Sequence, residues 1–219
     1  MRTSIWLVRA GQSRANAERR FHGQADSPLT ALGSAQSAQV AVQLRRQRID
    51  AVYCAPQRAT VQSAALLAPV CRSTPVIEAG WADQGLGVLT GLTRAAAHRD
   101  WPQSMADRLR DPLDAVAPGG EALATVAERI VVAWQQLVTR HRGQRVVIVT
   151  QATPIQIILC ALVGTPLLQH WSWRIDNGSS TCVDLYGTTP IIRCVNATTA
   201  LVRADIEATQ RQTDDDASN

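Results

Sequence analysis

The chain has 219 residues, of which 46% are hydrophobic and 18% charged, with a formal net charge of +4. That size and apolar content suit one α/β domain with a sizeable core and exclude a disordered chain. The basic residues are all arginine and are scattered, and aromatic residues make up only 4%, so neither a nucleic-acid surface nor a base-stacking platform is indicated.

In chain order, residues 4–8 read as a buried strand. The apolar run Ile5–Val8 then turns abruptly small and polar, as a strand does when it ends in a loop carrying a site. Residues 11–28 form a long polar loop, and long loops inside compact domains are usually functional. Thr30 can cap a helix running to about Arg48. A second strand covers residues 50–54. Pro56 opens a helix expected to end before Pro69, and Val76-Ile77 is a short strand. Residues 79–118, punctuated by Gly, Trp and Pro, are irregular or weakly helical and read as a lid. Val126, Ile130, Ala133, Trp134 and Leu137 fall at helical spacing, which predicts an amphipathic helix from about Leu123 to His141. A Val/Ile-rich strand at 145–150 and a helix from Pro154 to Val163 follow. Residues 181–186 and 191–195 read as a closing strand pair. Residues 209–219 read as a disordered acidic tail containing Asp214-Asp215-Asp216. No internal repeat is found.

Strands alternating with helices predict an α/β fold, three layers deep, with a mostly parallel central sheet. Ligands in such sheets sit beyond the carboxyl ends of the strands. Residues 9–16, 54–59 and 150–154 should therefore converge on one pocket. The five cysteines are odd in number and show no metal-ligand spacing, which points to reduced thiols in a cytoplasmic protein and to no metal. The first residues lack a signal-peptide pattern. No apolar run approaches the ~20 residues that cross a bilayer, so no membrane partner is expected.

Five segments occur in an order that resembles the histidine phosphatase superfamily, also called phosphoglycerate mutase-like. They are Arg9-Ala10-Gly11-Gln12-Ser13 with Asn16; Gly23 to Gln36 through Asp26-Ser27-Pro28-Leu29-Thr30; Cys54-Ala55-Pro56-Gln57-Arg58-Ala59; Pro118-Gly119-Gly120-Glu121; and Val147 to Ala152. The resemblance spans roughly residues 4–187 and implies one domain over residues 1–208 with 79–118 as its cap. In that family an Arg-His-Gly motif supplies the histidine that becomes phosphorylated, and a second histidine contacts the phosphoryl group. Here Ala10 and Gln151 stand in those places. The family's acid/base Glu lies four residues before a Gly, and counting back from Gly87 gives Asp83. The usual Trp-Glu is Leu89-Thr90.

Alanine cannot form a phosphohistidine, so conventional phosphatase or mutase activity is not expected. The resemblance leaves Arg9, Asn16, His22 and Arg58 as ligand-binding candidates. Ala10 is expected to make the pocket roomier. Asp83, with Glu121 and Gln151, is the candidate for acid/base catalysis. Other readings stay open: structural ion pairs for Arg9 and Arg58, a solvated carboxylate for Asp83, a silent relic for Gln151 and a surface histidine for His22. Cys54 reads as a nucleophile or an inert thiol, and Trp81, Trp101, Trp171 and Trp173 as cavity walls or plain packing.

The favoured function is a repurposed enzyme that cyclises, dehydrates or isomerises a small metabolite, for instance in specialised metabolism. A non-catalytic pseudophosphatase and a phosphatase inactivated by an engineered Ala10 are the alternatives. A small-molecule ligand is expected, with no cofactor, and the resemblance allows a homodimer.

Overall fold

The computed structural model describes residues 1–198, so the expected acidic tail lies outside the described residues. A six-stranded sheet has the order β3-β2-β4-β1-β5-β6. Its strands are β1 (Arg2–Arg9), β2 (Ala51–Cys54), β3 (Val76–Ile77), β4 (Arg145–Thr150), β5 (Ser180–Tyr186) and β6 (Thr189–Ala197). The first four are mutually parallel, whereas β5 runs antiparallel to β1 and β6 antiparallel to β5. This is the mostly parallel α/β sheet read from the sequence.

Side-chain alternation explains why the interior strands read as continuous apolar runs. On one face Ile5, Leu7, Val146 and Ile148 pack against α6 (Leu123–Arg140) and α7 (Ala152–Val163). On the other, Trp6, Val8, Val147 and Val149 pack against α2 (Ala31–Leu44) and α3 (Arg58–Cys71). The α6 stripe of Val126, Ile130, Ala133 and Leu137 is buried as its spacing required.

Local chemistry sets the element ends. The Thr30 hydroxyl accepts from the Gly33 amide at 3.0 Å and starts α2. That helix stops at Leu44, short of the expected Arg48. Helix α3 starts at Arg58 and runs through Pro69 to Cys71, where the sequence predicted an end before the proline. Pro69 and Ala65, whose carbonyl loses its helical donor, are both exposed and therefore wet, while Leu67 and Cys71 hold the last turn on the core.

Two features of the long loop were not foreseen as structure. Residues Arg14–Ala17 form a one-turn helix, α1, with a reciprocal cap between Ser13 and Asn16. Gly11 and Gly33 make a backbone-on-backbone contact: a Cβ on Gly11 would sit 2.0 Å from the Gly33 carbonyl oxygen. Only glycine permits that approach.

The segment expected to be a lid is more ordered than its sequence suggested. It carries two short helices, α4 (Arg94–Asp100) and α5 (Pro102–Arg110). The Thr93 hydroxyl caps α4, and Pro102 occupies the first turn of α5. Leu86, Leu89, Ala97, Met105 and Ala117 form a small core of their own, against which Phe21 packs. No described helix is long and apolar enough to cross a membrane.

Candidate active site

The carboxyl ends of β1 and β4, the start of α7 and the underside of the lid enclose a cavity of about 580 Å³. Arg9 leaves β1 at its floor, and Gln151, Ala152 and Thr153 line it from the start of α7. The N-terminus of that helix adds a partial positive charge. His22, Gly23, Asp83 and Gln84 come from the two loops facing α7. Above them stand Met105, Arg108 and Leu109 of α5, with Trp171 and His170 closing one side. A larger groove, of about 870 Å³, lies at the opposite end of the sheet beside Met1, Gly143 and Gly187. Among the described residues Arg142 supplies its only charged side chain, so it offers little chemistry.

Asp83 is the titratable centre. It is buried, and burial raises its carboxyl above the usual 3.8. The Gln84 amide, which donates to Oδ1 at 2.8 Å, pulls the other way, as do the Thr153 side chain, His22 and Arg9. The alternative reading of Asp83 as a solvated loop carboxylate does not hold, since the group is enclosed. Arg9 is half-buried and desolvated, which lowers its affinity for the proton, while Asp83 and Asp176 counter that loss. Its Nη1 donates to the Ile175 carbonyl at 2.5 Å, but its buried Nε has no partner.

Two further polar atoms are left the same way. The His22 Nδ1 faces the Gly23 carbonyl at 3.0 Å, so Nδ1 carries a proton and donates it. Its buried Nε2 has no partner. The buried Gln151 Nε2 also lacks one. Unpaired polar atoms in a buried setting are costly; those of Arg9, His22 and Gln151 share this cavity, whereas those of Gln57, Trp173 and Ser179 belong to residues outside its lining.

Other candidates stand elsewhere. Asn16 lines the cavity, but its Oδ1 is spent on the Ser13 amide and on Asn177 Nδ2, both at 3.1 Å. Ala10 is wholly buried in the cluster beneath α2 and α3 and does not line the cavity. The extra room expected from its small side chain is closed off by packing. Arg58 opens α3 on the outside, exposed and 3.9 Å from the exposed Asp26. The segment after β2 therefore does not join the pocket as its position suggested, since Ala55 and Gln57 are buried and neither lines the cavity.

Glu121 is a support. Its Oε2 accepts from the Gly85 amide at 2.7 Å and from Gln24 Nε2 at 3.0 Å, and Arg129 of α6 pairs with it at 3.4 Å. Arg129 also donates to the Ala82 carbonyl at 3.0 Å. Together they fix the loop that presents Asp83. Burial pushes the Cys54 thiol up to about 11, so it is an inert core thiol. Of the four tryptophans considered, only Trp171 reaches the cavity; Trp81 is core, with its indole N–H on Glu78 at 3.0 Å.

Sequence reading missed Thr153, Gln156, Arg108 and His170 as cavity residues. Thr153 and Gln156 lie one helical turn apart on α7, a spacing that could have marked them once Gln151 was placed. Arg108 gave no signal, because it is one of two arginines on a polar lid helix in an arginine-rich chain.

The fold is a mostly parallel α/β sheet with a polar cavity at the carboxyl ends of its strands, where open α/β sheets hold their ligands. The model of the histidine phosphatase superfamily (branch 1) matches residues 5–198, and the chain belongs to that superfamily. It is 27% identical over 202 residues to phosphoserine phosphatase 1 of Hydrogenobacter thermophilus, covering 92% of this chain and 96% of that protein. It is 28% identical over 183 residues to the probable phosphoglycerate mutase GpmB of Proteus mirabilis, covering 82% and 84%. The crystal structure of the alpha-ribazole phosphatase from Shigella flexneri superposes with a TM-score of 0.84 at 22% identity, over 90% of this chain and 96% of that one.

Proposed function

We propose that this protein is a degenerate member of its superfamily, lacking both catalytic histidines, which performs acid/base chemistry on a small anionic metabolite. The observation that carries the reading is the enclosed Asp83 carboxyl beside His22 and Arg9. An in-line phosphoryl transfer through the enzyme needs a nucleophile, and the buried methyl of Ala10 supplies none. Fold kinship alone does not fix the chemistry.

The roles follow from the groups present. Arg9 Nε and Gln151 Nε2 donate to an anionic or carbonyl oxygen of the ligand. Asp83, kept protonated to higher pH by burial, is the general acid. His22, fixed by the Gly23 carbonyl, offers the Nε2 lone pair as general base. In a dehydration, His22 takes a proton from carbon while the C–O bond breaks. Asp83 gives its proton to the departing hydroxyl, and water and an alkene result. Cyclisation or isomerisation uses the same pair.

The test is a panel of small hydroxy- and ketocarboxylates incubated with the protein in D2O and followed by NMR. Deuterium incorporation or water loss is expected for at least one member, lowered about 10²- to 10⁴-fold by Asp83→Asn. Turnover untouched by that substitution would refute the assignment. Saturable binding with no turnover of anything would favour the pseudophosphatase reading.

A further inference from the structure

The cavity's charge is lopsided. Arg9, Arg19, Arg20, Arg94 and Arg108 line it against one carboxylate, Asp83. Arg20 is committed to Glu18 at 2.6 Å and to the Gly91 carbonyl at 2.9 Å. Arg108 is different. It is half-buried on α5, and burial lowers its proton affinity, yet among the described residues it makes no hydrogen bond or ion pair. A desolvated guanidinium without a counter-ion is unfavourable for the free protein. The ring of His170 interacts electrostatically with Arg108; burial and that positive charge lower its proton affinity, and its Nδ1 faces the Leu167 carbonyl at 2.9 Å. The same cavity is also lined by apolar side chains, Phe21, Leu86, Met105 and Leu123 among them.

We propose that Arg108 is an outer anion subsite, so that this cavity takes a two-ended anion: one acidic group on Arg9 and Gln151, an apolar body against the lid, and a second acidic group on the Arg108 fork. The inference rests on the anion-binding part of the proposed function and adds the substrate class. A guanidinium presents two parallel N–H donors, which match a carboxylate or a phosphoryl group. The exposed Trp171 indole stands at the same mouth and covers the body of such a ligand. Unliganded, Arg108 costs stability; liganded, it gains the charge-assisted bonds it lacks.

Calorimetric titration of the full chain tests this. The probes are α,ω-dicarboxylates from succinate to sebacate, each beside the monocarboxylate of equal length, and the matching ω-carboxyalkyl phosphates. One chain length should bind about 10-fold or more tightly as the two-ended anion than as the one-ended one. Arg108→Gln should erase that preference and leave the monocarboxylate Kd within about twofold, with Arg108→Lys intermediate because it keeps the charge and loses the fork. The carboxylate and phosphate series distinguish which acidic group the outer end prefers. No length preference in the native chain, or a preference that survives Arg108→Gln, overturns the proposal. Arg108→Met should also raise the Tm of the free protein, which checks that the variants fold. Because the readout is binding, a failure of the acid/base reading, seen as turnover untouched by Asp83→Asn, leaves this result standing, and the reverse also holds.

Discussion

Two regions share the carboxyl end of the sheet and differ in how their polar groups are used. In the β1–α2 junction nearly every such group has a partner. The Gly11 amide donates to Ser63, the Gln12 amide to Gln36 and the Leu29 amide to Gln62. Ser13 and Asn16 cap α1 reciprocally. Across the cavity the opposite holds: Arg9 Nε, His22 Nε2 and Gln151 Nε2 are buried and unpaired, and Arg108 has no counter-ion among the described residues. Several residues that carry the family resemblance belong to the paired region and hold the fold. The unpaired groups are those a ligand would satisfy. A motif can therefore serve the architecture while the polar groups beside it stay available to a ligand.

Substitutions should separate the two regions. The largest stability effect belongs to Gly11→Ala, whose Cβ meets the Gly33 carbonyl at 2.0 Å, with the Gly33 carbon 2.6 Å away. Backbone on both sides leaves no side chain to move, so a loss of about 3 kcal/mol or more is expected by denaturant unfolding. Asp83→Asn should do the reverse at neutral pH. Its carboxyl is raised in the fold, so its contribution to stability is fully present below the usual 3.8 and is lost as pH rises through the folded value. The variant should therefore unfold at higher temperature than the native chain near pH 7, and the gap should close toward pH 3. A gap that widened on acidification would mean that Asp83 is held as an anion. The smallest effect is expected for Arg58→Ala. Its pair with Asp26 is exposed on both sides, and such pairs contribute about 0–1 kcal/mol. Anion binding should stay within about twofold, and a 10-fold loss would put Arg58 back in the site.

Much of the frame was legible from residue pattern. Ile5–Val8 and Val146–Val149 read as buried strands because both of their faces are covered. Thr30 read as a cap because its hydroxyl and the Gly33 amide are three residues apart. The lid helices were not legible. Arg94–Asp100 is short, and its order comes from packing Ala97 with Leu86, Leu89 and Ala117, a cluster that also takes in Phe21 from far away in sequence. Pro69 misled for the converse reason: tertiary packing of Leu67 and Cys71 carries the helix past a residue that local rules treat as a stop.

The site was partly legible. Arg9, Asn16, His22, Asp83 and Gln151 do line one cavity. Glu121 and Ala10 were assigned from motif position, which does not show where a side chain points. The first binds backbone and Arg129, and the second packs in the core. Arg108 was invisible because its meaning lies in what it lacks, a partner, and sequence does not record that.

With Ala10 buried in the core, the proposed chemistry of this cavity runs without a phosphoenzyme. Intact-protein mass spectrometry after incubation with p-nitrophenyl phosphate and with phosphoserine, paired with a phosphate-release assay, tests it most directly. No phosphoryl adduct on the protein and no phosphate release above the uncatalysed rate are expected. A phosphoryl adduct, or phosphate released by the native chain and lost in Asp83→Asn, would contradict it and make this protein a phosphatase by another route.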